Sequence, residues 1–383
     1  MKRQQRSAAV APLALLAMAV AACSRPLPAD GGTPVVYTAV QRARTDPSAN
    51  LTWAFAVDVD ARGNVYVGDQ SAVRVFAPDG TLRRSIGRQG AGPGEFVGIA
   101  SVAVMPGDSL FVFDMEMNRV TVLEPGTGRA AYTIRAGRDQ TFPPEKVVRV
   151  HGGRALSAVF RPAFMLDNPQ REGTRRELVV VRLLNPDGSL RRDSVLTVRE
   201  RENLVYRRAV GANPFGRETF LAWTRGDRIV AAWSDSLKFD VYSVEGRHLK
   251  TIRAAYQPPR RLITAAERDS VVQALSSPGH PPAEIRRVLN AYGGVTWPLL
   301  RQMVVDDHDR IWVGINGGRG EPVHWTAFDQ RGARVAQVDL PANMLLRVMR
   351  GTTAYVAALD ENDVPSVLTY DLKPAQALAM RRR

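Results

Sequence analysis

Cysteine is almost absent from this chain: one residue, Cys23, among 383. A single thiol excludes an intramolecular disulfide and any Cys-based zinc cluster. Lysine is nearly as scarce, with five of the 52 cationic residues, so the formal net charge of +14 rests on arginine. The five histidines, His151, His248, His280, His308 and His324, share no metal-ligand spacing. Long apolar runs are missing too. The longest, residues 8–20, is interrupted by Pro12 and falls short of the roughly 20 residues that cross a bilayer. What remains, 45% hydrophobic and 23% charged residues, is a globular composition that excludes a chain disordered throughout.

The N-terminus reads as an export signal. Lys2, Arg3 and Arg6 precede the short apolar run, which ends Val20-Ala21-Ala22-Cys23. That ending resembles the lipobox of bacterial lipoproteins and implies a signal peptide over 1–22, cleavage before Cys23 and acylation of its thiol. Ser24 follows, without the aspartate that retains many such lipoproteins at the inner membrane, so the resemblance implies an outer-membrane destination. Residues 23–34 are rich in Pro and Gly and read as a tether. From Cys23 onward, 361 residues carry a net charge of +11.

Repetition sets the architecture. Residues 56–60, 64–69, 73–76 and 81–86 are four short alternating runs separated by tight turns, the pattern of an antiparallel meander. Similar sets follow over residues 100–134, 147–198, 220–252 and 303–340, and a shorter one over 345–370. Six meanders, the last one strand short, predict a closed all-β propeller of four-stranded antiparallel blades. The unattached run 35–40 supplies the missing outer strand and closes the ring over residues 35–383. Closure also removes exposed sheet edges. The units resemble NHL-type repeats of six-bladed propellers, best over residues 56–96, where Asp58 to Asp69, Asp79-Gly80 and Gly90 to Phe96 follow that pattern. The resemblance implies architecture and no particular activity.

Several motifs imitate catalytic chemistry. Gly87, Gly90, Gly92 and Gly94 form a glycine-rich loop, but no helix follows, so it reads as a blade connector. Asp58, Asp60 and Asn64, and likewise Asp306, Asp307 and Asp309, approach calcium-loop spacing without its closing glutamate, and read as turn acceptors. Asp69, Asp114, Asp235, Asn316 and Asp360 recur after the second strand of a blade, as caps of the turn that follows. Related propellers include metal-dependent lactonases and zinc-dependent amidating lyases. Here only His280 and His324 share a face, so no metal, cofactor or catalytic residue is assigned.

Loop lengths point elsewhere. The long insertions, 161–176, 199–219 and 254–301, fall on the face carrying the b–c loops and blade connectors. They hold 15 arginines against eight acidic residues. Thr264 and Glu267 make a capping box that starts a helix in 254–301, and a second apolar stripe follows Pro282. Candidate contacts on this face are Arg161, Phe164, Arg207, Arg208, Trp223, Arg260, Arg261, Arg286, Arg287, Trp297 and Arg301. The expectation is an envelope lipoprotein that binds, without catalysis, an anionic glycan, an acidic peptide or another envelope protein. It touches membrane only through its lipid and, being exported, binds no nucleic acid. A metal-dependent propeller hydrolase or lyase and a structural scaffold of an envelope complex are the alternatives.

Overall fold

The computed structural model describes residues 33–105, 107, 109–124, 126–135, 144–150, 155–160, 171–207, 209–318 and 320–375. Cys23, His151, Arg161, Phe164 and Arg208 lie outside them. The chain is all-β. Strand β1 (Val35–Arg44) precedes the meander β2 (Ala56–Val59), β3 (Val65–Asp69), β4 (Ala72–Phe76) and β5 (Leu82–Ile86). The next is β6 (Ile99–Val104), β7 (Leu110–Asp114), β8 (Arg119–Leu123) and β9 (Ala130–Arg135). A third holds five strands, β10 (Lys146–Val150), β11 (Ala155–Phe160), β12 (Gly173–Leu184), β13 (Leu190–Tyr206) and β14 (Ala209–Ala212). Then come β15 (Thr219–Trp223), β16 (Arg228–Trp233), β17 (Lys238–Ser243) and β18 (His248–Arg253), followed by helices α1 (Ala265–Leu275) and α2 (Pro282–Tyr292). The chain continues through β19 (Leu300–Val305), β20 (Ile311–Ile315), β21 (Val323–Phe328) and β22 (Arg334–Leu340) to β23 (Leu345–Arg350), β24 (Thr353–Leu359) and β25 (Pro365–Pro374).

Pairing is antiparallel within every meander, in sequence order. The strands form where Val, Ile, Phe and Tyr alternate or run together, and a turn residue with positive φ, such as Gly63 or Gly80, reverses the chain between them. β1 pairs antiparallel with β25 along Tyr37–Arg44, and its first residues, Val35 to Tyr37, pair parallel with β22. That joins β19–β22, β1 and β23–β25 into one eight-stranded sheet.

The core lies between sheets. Each meander shares an apolar cluster with the next: Val73 and Phe96 with Val112, Phe113 with Leu156, Leu183 with Ile229, and Phe239 with Val313 and Phe328. Trp325 then packs with Val356, and Tyr355 with Val67 and Phe76 of the first meander. The leading strands adjoin likewise: β2 lies beside β6, β6 beside β10, β15 beside β19, β19 beside β23, and β23 beside β2. This is propeller packing, in which each sheet buries both faces against its neighbours.

Two regions read as insertions are more regular than loops. In the third meander β12 and β13 extend as a ribbon in which Gly173 pairs with Val205 and Arg176 with Glu202, and β14 adds a fifth strand. Parts of 161–176 and 199–219 are therefore sheet. The helices do not hang free over this face: Val272, Val288 and Leu289 bury against Leu204, Tyr206 and Phe215. Thr264 caps α1 through the reciprocal box with Glu267. No helix among the described residues is long and apolar enough to cross a membrane.

Candidate functional site

The insertion arginines have acidic partners. Arg207 meets Glu284 at 2.7 Å, Arg260 meets Asp235 at 2.8 Å, Arg261 meets Glu267 at 2.6 Å and Arg287 meets Glu172 at 3.0 Å. Arg286 pairs with Asp269. The pairs at Arg207, Arg260, Arg286 and Arg287 are half-exposed and contribute little to stability, but they lower the field offered to an anion. Glu267 is the exception in depth. The Arg261 guanidinium, aided by Thr264 and the Trp297 indole, holds its carboxyl down to about 2 against the effect of burial. Trp297 donates Nε1–H to Glu267 at 3.3 Å and stands edge-on to the fully buried Phe215, so most of its surface is used inside the protein.

Free positive charge lies closer to the centre. A cavity of about 510 Å³ is walled by α1, the 212–218 segment and the 316–320 loop, with Arg261, Trp297 and Arg301 among its lining residues. It shares Arg201 and Glu218 with a second cavity of about 300 Å³, lined by Lys146, Trp223 and Arg347 from the leading strands β10, β15 and β23 and also by Glu145 and Glu200. Arg201 and Glu218 pair with each other at 3.1 Å. Arg301, Lys146 and Arg347 make no ion pair among the described residues; Arg347 donates only to the Phe55 carbonyl, and Lys146 Nζ lies 5.6 Å from the Trp223 ring centroid. Lys146 is open to water within a cavity walled by protein. The surrounding protein pushes its pKa down, Arg347 pushes it further, and Glu145 partly opposes both. Trp223 Nε1 is buried without a hydrogen-bond partner among the described residues.

Of the expected contact residues, the structure therefore gathers Arg261, Trp297 and Arg301 around one cavity and Trp223 in the next. Arg207, Arg260, Arg286 and Arg287 line neither. Lys146 and Arg347 are the additions. Their signal in the sequence is a cation set among apolar residues of an inner strand, Leu345-Leu346-Arg347-Val348-Met349 being the clearer case.

The turn carboxylates are occupied. Asp60 accepts from the amides of Arg62 and Asn64 and from Asn64 Nδ2. Asp306 takes the His308 and Arg310 amides on one oxygen, and Arg310 Nε and Trp312 Nε1 on the other. Asp306, Asp307 and His308 lie close enough to suggest a metal cluster, but the donors already on Asp306 leave it poorly placed to ligate. Asp69 differs from the expected turn cap: it holds the preceding connector through Thr52 and Trp53 amides. Asp114 does both, binding the Val97 and Gly98 amides and that of Met117.

No family model matches the chain, and no curated protein does. Solved structures are similar in fold. A candidate exported protein of Bacteroides fragilis is 11% identical, with 89% of this chain and 100% of that one covered and a TM-score of 0.47. A DUF4221 family member from Bacteroides vulgatus is 8% identical, with 88% and 98% covered and a TM-score of 0.46. A gluconolactonase from Xanthomonas campestris is 14% identical, with 89% and 98% covered and a TM-score of 0.43. At such identities and scores they carry no activity to this chain.

Proposed function

We propose that this chain is a lipid-anchored envelope protein that binds an anionic partner, an anionic glycan or acidic peptide, without catalysis. Its lipid is attached at Cys23, and the lipobox resemblance supports the outer membrane as its address. Its body is a six-bladed propeller closed by β1, with the helical insertion between blades four and five. The unbroken circuit of inter-sheet clusters supports that count, as does β1 in the outer position beside β25. The observation that carries the binding reading is the contrast between paired rim arginines and three cations, Lys146, Arg301 and Arg347, that make no ion pair among the described residues and line two contiguous cavities. A charged hydrogen bond is worth about 1.5–3 kcal/mol, so losing one of these contacts weakens binding roughly 10- to 100-fold.

Isothermal titration with an acidic peptide and an anionic oligosaccharide tests this. The Lys146→Met and Arg301→Gln chains lose affinity for whichever ligand binds, while Arg260→Glu with Arg286→Glu retains it. Loss confined to the rim pair would reject the central site.

A further inference from the structure

The end of the molecule carrying the a–b turns holds another cavity of about 560 Å³, which shares Trp223 with the Lys146 cavity. Each leading strand contributes a residue to it: Asp58, Val104, Val148, Trp223, Val305 and Val348. Its charged groups divide cleanly. Asp60 and Asp306 are consumed by their turns, as described above, and Asp307 accepts the Gly351 amide at 2.8 Å and contacts His308. Three others make no ion pair among the described residues. Arg225 and Arg350 have side chains without a hydrogen bond or ion pair among the described residues, and both line the cavity. Asp58 accepts one amide on each oxygen, Val59 N–H at 2.8 Å and Val104 N–H at 2.7 Å, and has no ion pair. A carboxylate oxygen has two lone-pair sites, so each retains one.

We infer that this cavity is a binding site for a small zwitterion with an apolar body, an α-amino acid with an aliphatic side chain. Arg225 and Arg350 receive its carboxylate, Asp58 accepts hydrogen bonds from its ammonium, and the half-buried Val148, Val305 and Val348 meet its side chain. Burial raises the Asp58 pKa, while the Val104 and Val59 amides and then Arg350 and Arg225 act the other way; an ammonium beside it compensates the half-buried anion. The guanidinium pair gives a carboxylate charged donors, and the valines give the aliphatic part a surface that inorganic phosphate would leave unfilled. Lys146, Arg301 and Arg347 do not line this cavity, and none of the three recognition contacts rests on Trp223, the residue it shares with the Lys146 cavity.

The test is titration calorimetry of L-leucine and L-valine into the purified chain, with the matching 2-hydroxy acids and inorganic phosphate as comparison ligands. The amino acids bind, the hydroxy acids bind at least tenfold more weakly, and Asp58→Asn and Arg350→Gln each reduce amino-acid affinity at least tenfold. Arg225 is exposed and its side chain makes no contact of these kinds, so Arg225→Gln preserves the fold and serves as the variant whose loss of binding cannot be blamed on unfolding. Arg301→Gln, at a residue that lines only the far cavity, leaves this binding unchanged, which separates the site from the anion site above. Absence of amino-acid binding, equal binding of hydroxy acids, or binding of phosphate alone overturns the inference.

Discussion

Lys146 concentrates the conflict between stability and binding in one side chain. Its folded pKa is lowered below the ordinary 10.5 by the enclosing protein first and by Arg347 second. Between that lowered value and 10.5 the unfolded chain binds more protons than the folded one, so the lysine's contribution to stability rises with pH across the window. At neutral pH the ammonium is therefore a cost, a small one because the side chain is open to water. Lys146→Met retains the length of the stem and removes the charge, and is expected to raise the urea midpoint at pH 7 while weakening anion binding roughly 10- to 100-fold. The gain should shrink as pH climbs towards 10.5. A lower midpoint at pH 7 would mean that contacts of the ammonium, such as that with Trp223, outweigh its desolvation. Such a residue was hard to find in the sequence. Which residues of β10 and β23 face the centre depends on the tertiary arrangement, and the arginine count drew attention to the rim. Counting charges does not reveal that Arg287 meets Glu172, 115 positions away in the chain.

Between elements, the outer turn of one meander is clasped against the outer strand before it. A Cβ built on Gly80 would collide with the Arg44 carbonyl, on Gly188 with that of Arg135, on Gly246 with that of Val195 and on Gly332 with that of Arg253. The glycine is needed for its lack of a side chain as well as for its positive φ. Gly246 and Gly107 separate the two requirements, since their φ values are 89° and 84° but nothing lies within 4 Å of a Cβ at Gly107. Alanine at Gly107 should cost only the left-handed backbone, about 1–2 kcal/mol. Alanine at Gly246 should cost clearly more, because two backbones must separate. Urea unfolding of both chains measures the difference, and equal losses would show that the clasp yields freely. Those glycines were legible as turn signals in Pro78-Asp79-Gly80 and Pro186-Asp187-Gly188, and the first meander's strands begin and end within a residue of the alternating runs. The ribbon of β12 and β13 was not legible. Arg and Glu alternate there, and cross-strand charge pairs such as Arg176 with Glu202 take the place of the apolar face that periodicity detects.

For the whole molecule, the proposed ring depends on one strand from the far end of the chain. Without β1, β25 would present its amides and carbonyls from Leu368 to Pro374 as an open edge, and Tyr370 and Leu372 would lose cover. The Arg42–Asp371 and Arg44–Asp360 pairs would go with it. An open propeller edge also invites pairing between molecules. Deleting residues 33–44 is therefore expected to lower the urea midpoint sharply and to produce association in sedimentation velocity. Supplying residues 33–46 as a synthetic peptide should restore the midpoint in proportion to its concentration, because it binds only the folded chain. A deleted chain that stays monomeric and unfolds at the original midpoint would refute closure by β1. If closure holds, the proposed anchor at Cys23 stands 12 residues before the strand that completes the ring, so the lipid would tether the propeller at its seam. A pull on the tether would then load the β1–β22 pairing at Val35–Tyr37 first and the β1–β25 ladder next.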